Sequence, residues 1–194
     1  MTTIDYFYSV LSPWSYFAGT RLEEIAAARG ARVGYKPLDV VRLFAETGSL
    51  PLPQRPKARQ AYRLQELRRA SAKTGLPYHV EPAHWPTDPL PSSTAIIALA
   101  AAGGDVAALN TRIFAAVWAE QKDIADPGLI AEMLATLGVD PEGLDMAGAA
   151  ETYQANTEEA ISRGAFGVPF YIVGDECFWG QDRLADLDWH LARL

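Results

Sequence analysis

Three short segments of this 194-residue chain carry residue types whose spacing suits chemistry. Leu11-Ser12-Pro13-Trp14 breaks an aromatic, β-branched run. Proline fits the first turn of a helix, so Ser12 falls at the N-cap. A helix N-terminus presents unpaired amides and partial positive charge, which favour an anion, and a serine hydroxyl there can donate to a thiolate. An ordinary cap, contributing about 1 kcal/mol, accounts for Ser12 equally. Gly167-Val168-Pro169 places an X-Pro bond after glycine at the start of a strand, a candidate cis peptide. It would free the Val168 backbone to pair with an extended ligand; a loop proline before an edge strand is the other reading. Trp179-Gly180-Gln181-Asp182-Arg183-Leu184 enters a last helix, where Asp182 either caps the helix or accepts from a ligand's ammonium group.

Other reactive residues are sparse. Cys177 is the only cysteine, which excludes an intramolecular disulfide, a C-x-x-C couple and multi-cysteine zinc sites. Lying between Glu176 and Phe178 in a predicted strand, it is expected to be a buried, inert thiol. His79, His84 and His190 lack the paired helical spacing of a metal site. Trp14, Trp118 and Trp179 suit either an apolar substrate pocket or core packing.

The formal net charge of -7 argues against a nucleic-acid surface. The one basic stretch, Arg55 to Arg69, mixes acidic and apolar residues and reads as a solvated helix face. No window approaches a membrane span of about 18 apolar residues. Met1-Thr2-Thr3-Ile4-Asp5 lacks a basic leader, and a cytoplasmic protein is expected.

The elements that must position these residues follow from pattern. Ile4 to Val10 reads as a strand, Pro13 to Arg29 as one helix ended by Gly30, and Val33 to Leu38 as a second, parallel strand. From Val41 to Arg163 helical runs dominate: Arg59–Thr74, Ser92–Ala102 capped by Ser92 or Ser93, Asp105–Glu120, Pro127–Leu137 and Asp145–Arg163. Four prolines between Gly75 and Leu90 mark an irregular loop. Val168 to Val173 and Glu176 to Trp179 form a hairpin across Gly174-Asp175, before a helix from Asp182 to Arg193. The expected fold is α/β, a β-α-β / β-β-α core (residues 1–40 and 164–194) interrupted by an all-helical insertion (residues 41–163).

Taken in order, Leu11-Ser12-Pro13-Trp14-Ser15-Tyr16, Ala116-Val117-Trp118-Ala119-Glu120, Gly164-Ala165-Phe166-Gly167-Val168-Pro169 and Phe178 to Leu184 resemble the 2-hydroxychromene-2-carboxylate isomerase family. That family is close to the kappa-class glutathione transferases, within the DsbA-like branch of the thioredoxin fold. The resemblance implies glutathione as cofactor and cis-trans isomerisation of 2-hydroxychromene-2-carboxylate or a similar unsaturated aromatic carboxylate, in a homodimer. It matches Ser12 to the serine that hydrogen-bonds the glutathione sulfur, and Val168, before Pro169, to the residue pairing with the cysteinyl backbone. Gln181 and Asp182 match the positions holding the γ-glutamyl end. Glu66 matches an acidic residue reaching across the dimer, and Arg59 falls near a lysine position beside the substrate or glycine carboxylate. Ser9 replaces a frequent aspartate, and Arg59 offers a planar fork where the family has a point charge. A kappa-like transferase is the nearest alternative, and a glutathione- or peptide-binding module without turnover is another. Disulfide exchange is opposed by Ser12 and Ser15 at the C-x-x-C-like positions.

Overall fold

Ile4, Tyr6 and Tyr8 alternate with Asp5 and Phe7 along Thr3–Tyr8 (β1), so each set faces one side of a sheet. The computed structural model describes residues 1–194. Strand β1 pairs in parallel with Arg32–Pro37 (β2) and antiparallel with Phe170–Val173 (β3), which pairs antiparallel with Glu176–Trp179 (β4). The order is β2-β1-β3-β4. Tyr6 lies opposite Tyr171 and Phe7 opposite Phe170.

One face stacks Tyr6 on Tyr8 at 4.2 Å and on Tyr171 at 5.1 Å. It is covered by Pro13–Tyr16 (α1), Arg21–Arg29 (α2) and Leu184–Leu191 (α9), and its core runs on into the helical block. That block comprises Lys57–Thr74 (α4), Leu90–Ala101 (α5), Val106–Trp118 (α6) and Pro127–Ala135 (α7). The other face buries Phe7, Phe170 and Ile172 under Val40–Thr47 (α3) and Met146–Ser162 (α8). Asn156 Nδ2 donates to Pro37 O at 3.1 Å and Asp39 N to Thr157 Oγ1 at 3.0 Å, which ties α8 to the end of β2.

The predicted parallel β-α-β unit, the helical middle and the hairpin are all present; several boundaries differ. The helix expected from Pro13 to Arg29 breaks at residues 17–20. Gly19 takes φ +60°, and the Arg21 guanidinium satisfies Phe17 O (2.9 Å) and Ala18 O (3.1 Å), carbonyls that a continuous helix would bond to its own amides. Helix α3 was not expected from the sequence: Asp39 accepts from the amides of Val41 and Arg42, and Gly48 closes it at φ +75°. Ser92 and Ser93 lie buried inside α5 instead of capping it, since Asp88 Oδ1 accepts from Leu90 N at 2.9 Å two residues earlier. Strand β1 ends at Tyr8 because Ser12 N turns back to Ser9 O at 3.0 Å. Cys177 is exposed, not buried: β4 is an edge strand that turns Phe178 toward α9 and its alternate residues outward. No helix is long and apolar enough to cross a membrane.

Glu23 sits beneath the tyrosine face, where its Oε1 accepts from the Tyr35 hydroxyl at 2.7 Å and its Oε2 is buried without a partner. Burial raises its carboxyl above the usual carboxylate range, opposed in part by the Tyr35 bond. A carboxyl raised in the folded state stabilises below its unfolded value of about 4.3 and loses that contribution as pH climbs through the raised value. Relative to Glu23→Gln, the wild-type chain is therefore expected to lose stability between pH ~4 and neutrality. Urea denaturation of both across that range checks this; parallel stability curves would contradict it.

Candidate active site

Three strand ends meet at one edge of the sheet. The C-terminal end of β1 leads to Ser12, the N-terminal end of β3 follows Val168-Pro169, and the C-terminal end of β4 leads to Gly180, Gln181 and Asp182. The pairings Phe7 to Phe170 and Phe170 to Trp179 put all three on the same side. The structure thus brings together Ser12, Val168, Pro169, Gln181 and Asp182.

Ser12 is the N-cap of α1, with φ -92° and ψ 118°, and is 8% exposed. Its Oγ accepts from Ser15 N at 3.3 Å, which leaves the hydroxyl hydrogen free to donate outward. Pro13 has no amide hydrogen, and the Trp14 amide has no partner within the chain. Helix α1 spans only four residues, so the long helix dipole expected from a continuous Pro13–Arg29 helix is absent. What remains at this point is local: one hydroxyl and one free amide.

Val168-Pro169 is a cis peptide, as the sequence suggested. Pro169 O accepts from Gly180 N at 2.9 Å, while the amide and carbonyl of the buried Val168 pair with nothing in the chain. An unpaired backbone at a strand end is a place for an extended peptide to add. Gly180 takes φ +108°, a glycine conformation that turns the chain out of β4. Gln181 then opens a 3₁₀ turn (Gln181–Arg183) in place of the helix start expected at Asp182. Gln181 O accepts from Arg21, and the exposed Asp182 carboxylate is 3.1 Å from Arg183 instead of capping the backbone.

Glu66 and Arg59 are both carried by α4. The Glu66 carboxylate is held by Arg69 on its own helix, and Arg59 is exposed. Of the three tryptophans considered, Trp118 is wholly buried, with its ring 5.9 Å from Trp85. Trp179, 51% exposed, packs edge-on against Phe166 at 4.8 Å. Trp85 was missed by sequence reasoning; its Nε1 donates to Leu11 O at 3.1 Å and pins the segment before Ser12. Only its place in the proline-rich loop marked it. The Tyr16 hydroxyl fastens the same loop by donating to Pro77 O at 2.6 Å. A cavity of about 390 Å³ lies elsewhere, against Tyr16, Glu23, Asn110 and Phe114. No group of three or more His, Cys, Asp or Glu side chains is placed to hold a metal.

Residues 3–192 match the family of DSBA-like thioredoxin domains. The chain is 32% identical to a 2-hydroxychromene-2-carboxylate isomerase of Pseudomonas putida over 199 residues, covering 98% of this chain and 95% of that one. It is 31% identical to one of Sphingobium xenophagum, covering 97% of each. A solved 2-hydroxychromene-2-carboxylate isomerase structure superimposes with a TM-score of 0.80 at 29% identity, over 98% of this chain and 95% of that one.

Gly167 lets the Trp179 ring lie over the chain just before Val168: a Cβ there would stand 2.7 Å from Trp179 Nε1. Gly167→Ala is expected to displace the ring and destabilise the fold by about 1 kcal/mol or more. Thermal melts with tryptophan fluorescence check this, with Trp179→Phe as background; an unchanged melt and spectrum would contradict it.

Proposed function

Because the chain belongs to the DsbA-like thioredoxin family and, within it, to the family of the 2-hydroxychromene-2-carboxylate isomerases, we propose that it is a glutathione-dependent cis-trans isomerase of an unsaturated aromatic carboxylate. The observation that carries this reading is Ser12: a nearly buried hydroxyl, free to donate, beside the unpaired Trp14 amide and at the same sheet end as the unpaired Val168 backbone. These groups fit a tripeptide thiol. Val168 offers a donor and an acceptor to an extended backbone, and Gln181 and Asp182 lie one strand further along for its charged end.

When bound, glutathione would supply a nucleophilic sulfur for reversible addition to the unsaturated acid, with Ser12, Trp14 and Val168 as the groups that would hold it. The chain's own residues hold and ionise it. A free thiol titrates near about 8.5, and donors aimed at the sulfur favour the thiolate; each tenfold gain in the thiolate-to-thiol ratio corresponds to about 1.4 kcal/mol. Ser12 Oγ–H and the Trp14 amide are those donors. With serine at positions 12 and 15, the chain has no second sulfur here to resolve a disulfide.

Ser12→Ala is expected to lower glutathione-dependent turnover of 2-hydroxychromene-2-carboxylate about 10²-fold, the size of effect seen when one donor to a developing anion is removed. Stopped spectrophotometric assays followed by mass spectrometry of the products test this. Free isomerised acid with glutathione regenerated supports the reading; a stable glutathione conjugate indicates a transferase, and unchanged turnover removes Ser12 from the mechanism.

A further inference from the structure

The cavity of about 390 Å³ is framed by the break between α1 and α2, the C-terminal turn of α4 and one face of α6. That volume falls within the range of about 300–1,000 Å³ common to small-molecule sites. None of Ser12, Val168, Gln181 and Asp182 lines it. Asn110 and Phe114, four residues apart on α6, share the face turned toward it. Tyr16 supplies a second ring, 6.3 Å from that of Phe114, and its hydroxyl is committed to Pro77 O. The exposed Glu24, Lys73 and Thr111 stand at the rim.

Two acceptors on this lining lack donors. Asn110 is only 5% exposed, and its Oδ1 has no hydrogen-bond partner. Glu23 Oε2 is buried and equally unpaired, although Tyr35 holds Oε1 at 2.7 Å. An unsatisfied buried acceptor costs about 1–3 kcal/mol, so each such atom in a native fold calls for a partner. The chain's own cations do not answer Glu23. Arg21 turns its guanidinium to the carbonyls of Phe17, Ala18 and Gln181. Burial first, and then the neighbouring Glu24, raises the Glu23 carboxyl, while the only opposing influences are the Tyr35 hydroxyl and a backbone amide. A group that donates two hydrogens and carries positive charge complements these acceptors, and ring faces such as those of Tyr16 and Phe114 attract cations as well.

We propose that this cavity binds a small planar organic cation of the amidinium or guanidinium class, with its N–H fork donating to Glu23 Oε2 and Asn110 Oδ1 and its apolar part against Tyr16 and Phe114. Titration calorimetry of the full chain would compare benzamidine with its neutral and anionic counterparts, benzamide and benzoate. Benzamidine is expected to bind at least tenfold more tightly than either. Glu23→Gln and Asn110→Leu are each expected to weaken it at least tenfold. Thr111→Trp, a substitution at an exposed helix position on the rim, is expected to block it in a protein that melts like wild type. Ser12→Ala is expected to bind benzamidine as wild type does, because the cavity is separate from the sheet edge. No benzamidine binding at millimolar concentration, benzamide or benzoate as tight as benzamidine, or wild-type affinity in Thr111→Trp would each overturn the proposal. Loss of benzamidine binding in Ser12→Ala would overturn it too, by placing the cation at the sheet edge.

Discussion

Strand β1 is paired on both sides, parallel to β2 and antiparallel to β3, and the rest of the structure hangs on that register. Its alternation puts Tyr6 and Tyr8 on one face and Phe7 on the other, and both faces are buried. A slip of one residue would exchange those sets and carry Asp5, which is joined to Arg163 at 2.6 Å, into the tyrosine face. Register is thus strongly specified, and with it the sheet edge at which Ser12, Val168 and Gln181 converge.

The layers on either face serve that edge. Helix α8 and Thr157 hold the end of β2, and the Lys36, Asp5, Glu159 and Arg163 charges lie along the same face, partly exposed. On the opposite face the aromatic stack meets α6 through Phe114, 6.0 Å from Tyr8. The helical block and the sheet therefore share one core. Trp85 and Tyr16 tie the proline-rich loop to the segment around Ser12, so the loop forms one wall beside the site.

Much of this was legible in local patterns. The strands read from β-branched and aromatic alternation, Ser12 from the proline after it, and the hairpin from Gly174-Asp175. The misses have a common physical origin in side chains that override propensity from a distance. Arg21 ends the first helix early by capping Phe17 and Ala18, and nothing between Pro13 and Arg29 apart from Gly19 signals the break. Asp39 starts a helix whose first residues, Val40 and Val41, are weak helix formers. Cys177 has an apolar neighbour and reads as core, yet burial at β4 depends on which strand is the edge, a tertiary fact. For the candidate site, the segments were identifiable one by one. Their meeting at one end of the sheet and the unpaired Val168 backbone required the fold.

The chemistry proposed for the edge is modest and local: a single hydroxyl and a single amide acting on one sulfur, at the end of a helix too short to add a large dipole. The most direct measurement is the ionisation of glutathione bound to the protein, followed by thiolate absorbance in the ultraviolet as pH is varied, in wild type and in Ser12→Ala. The account predicts a bound thiol that titrates clearly below the free value of about 8.5 in wild type and returns toward it in the variant. A bound thiol that titrates like the free one in wild type would contradict it.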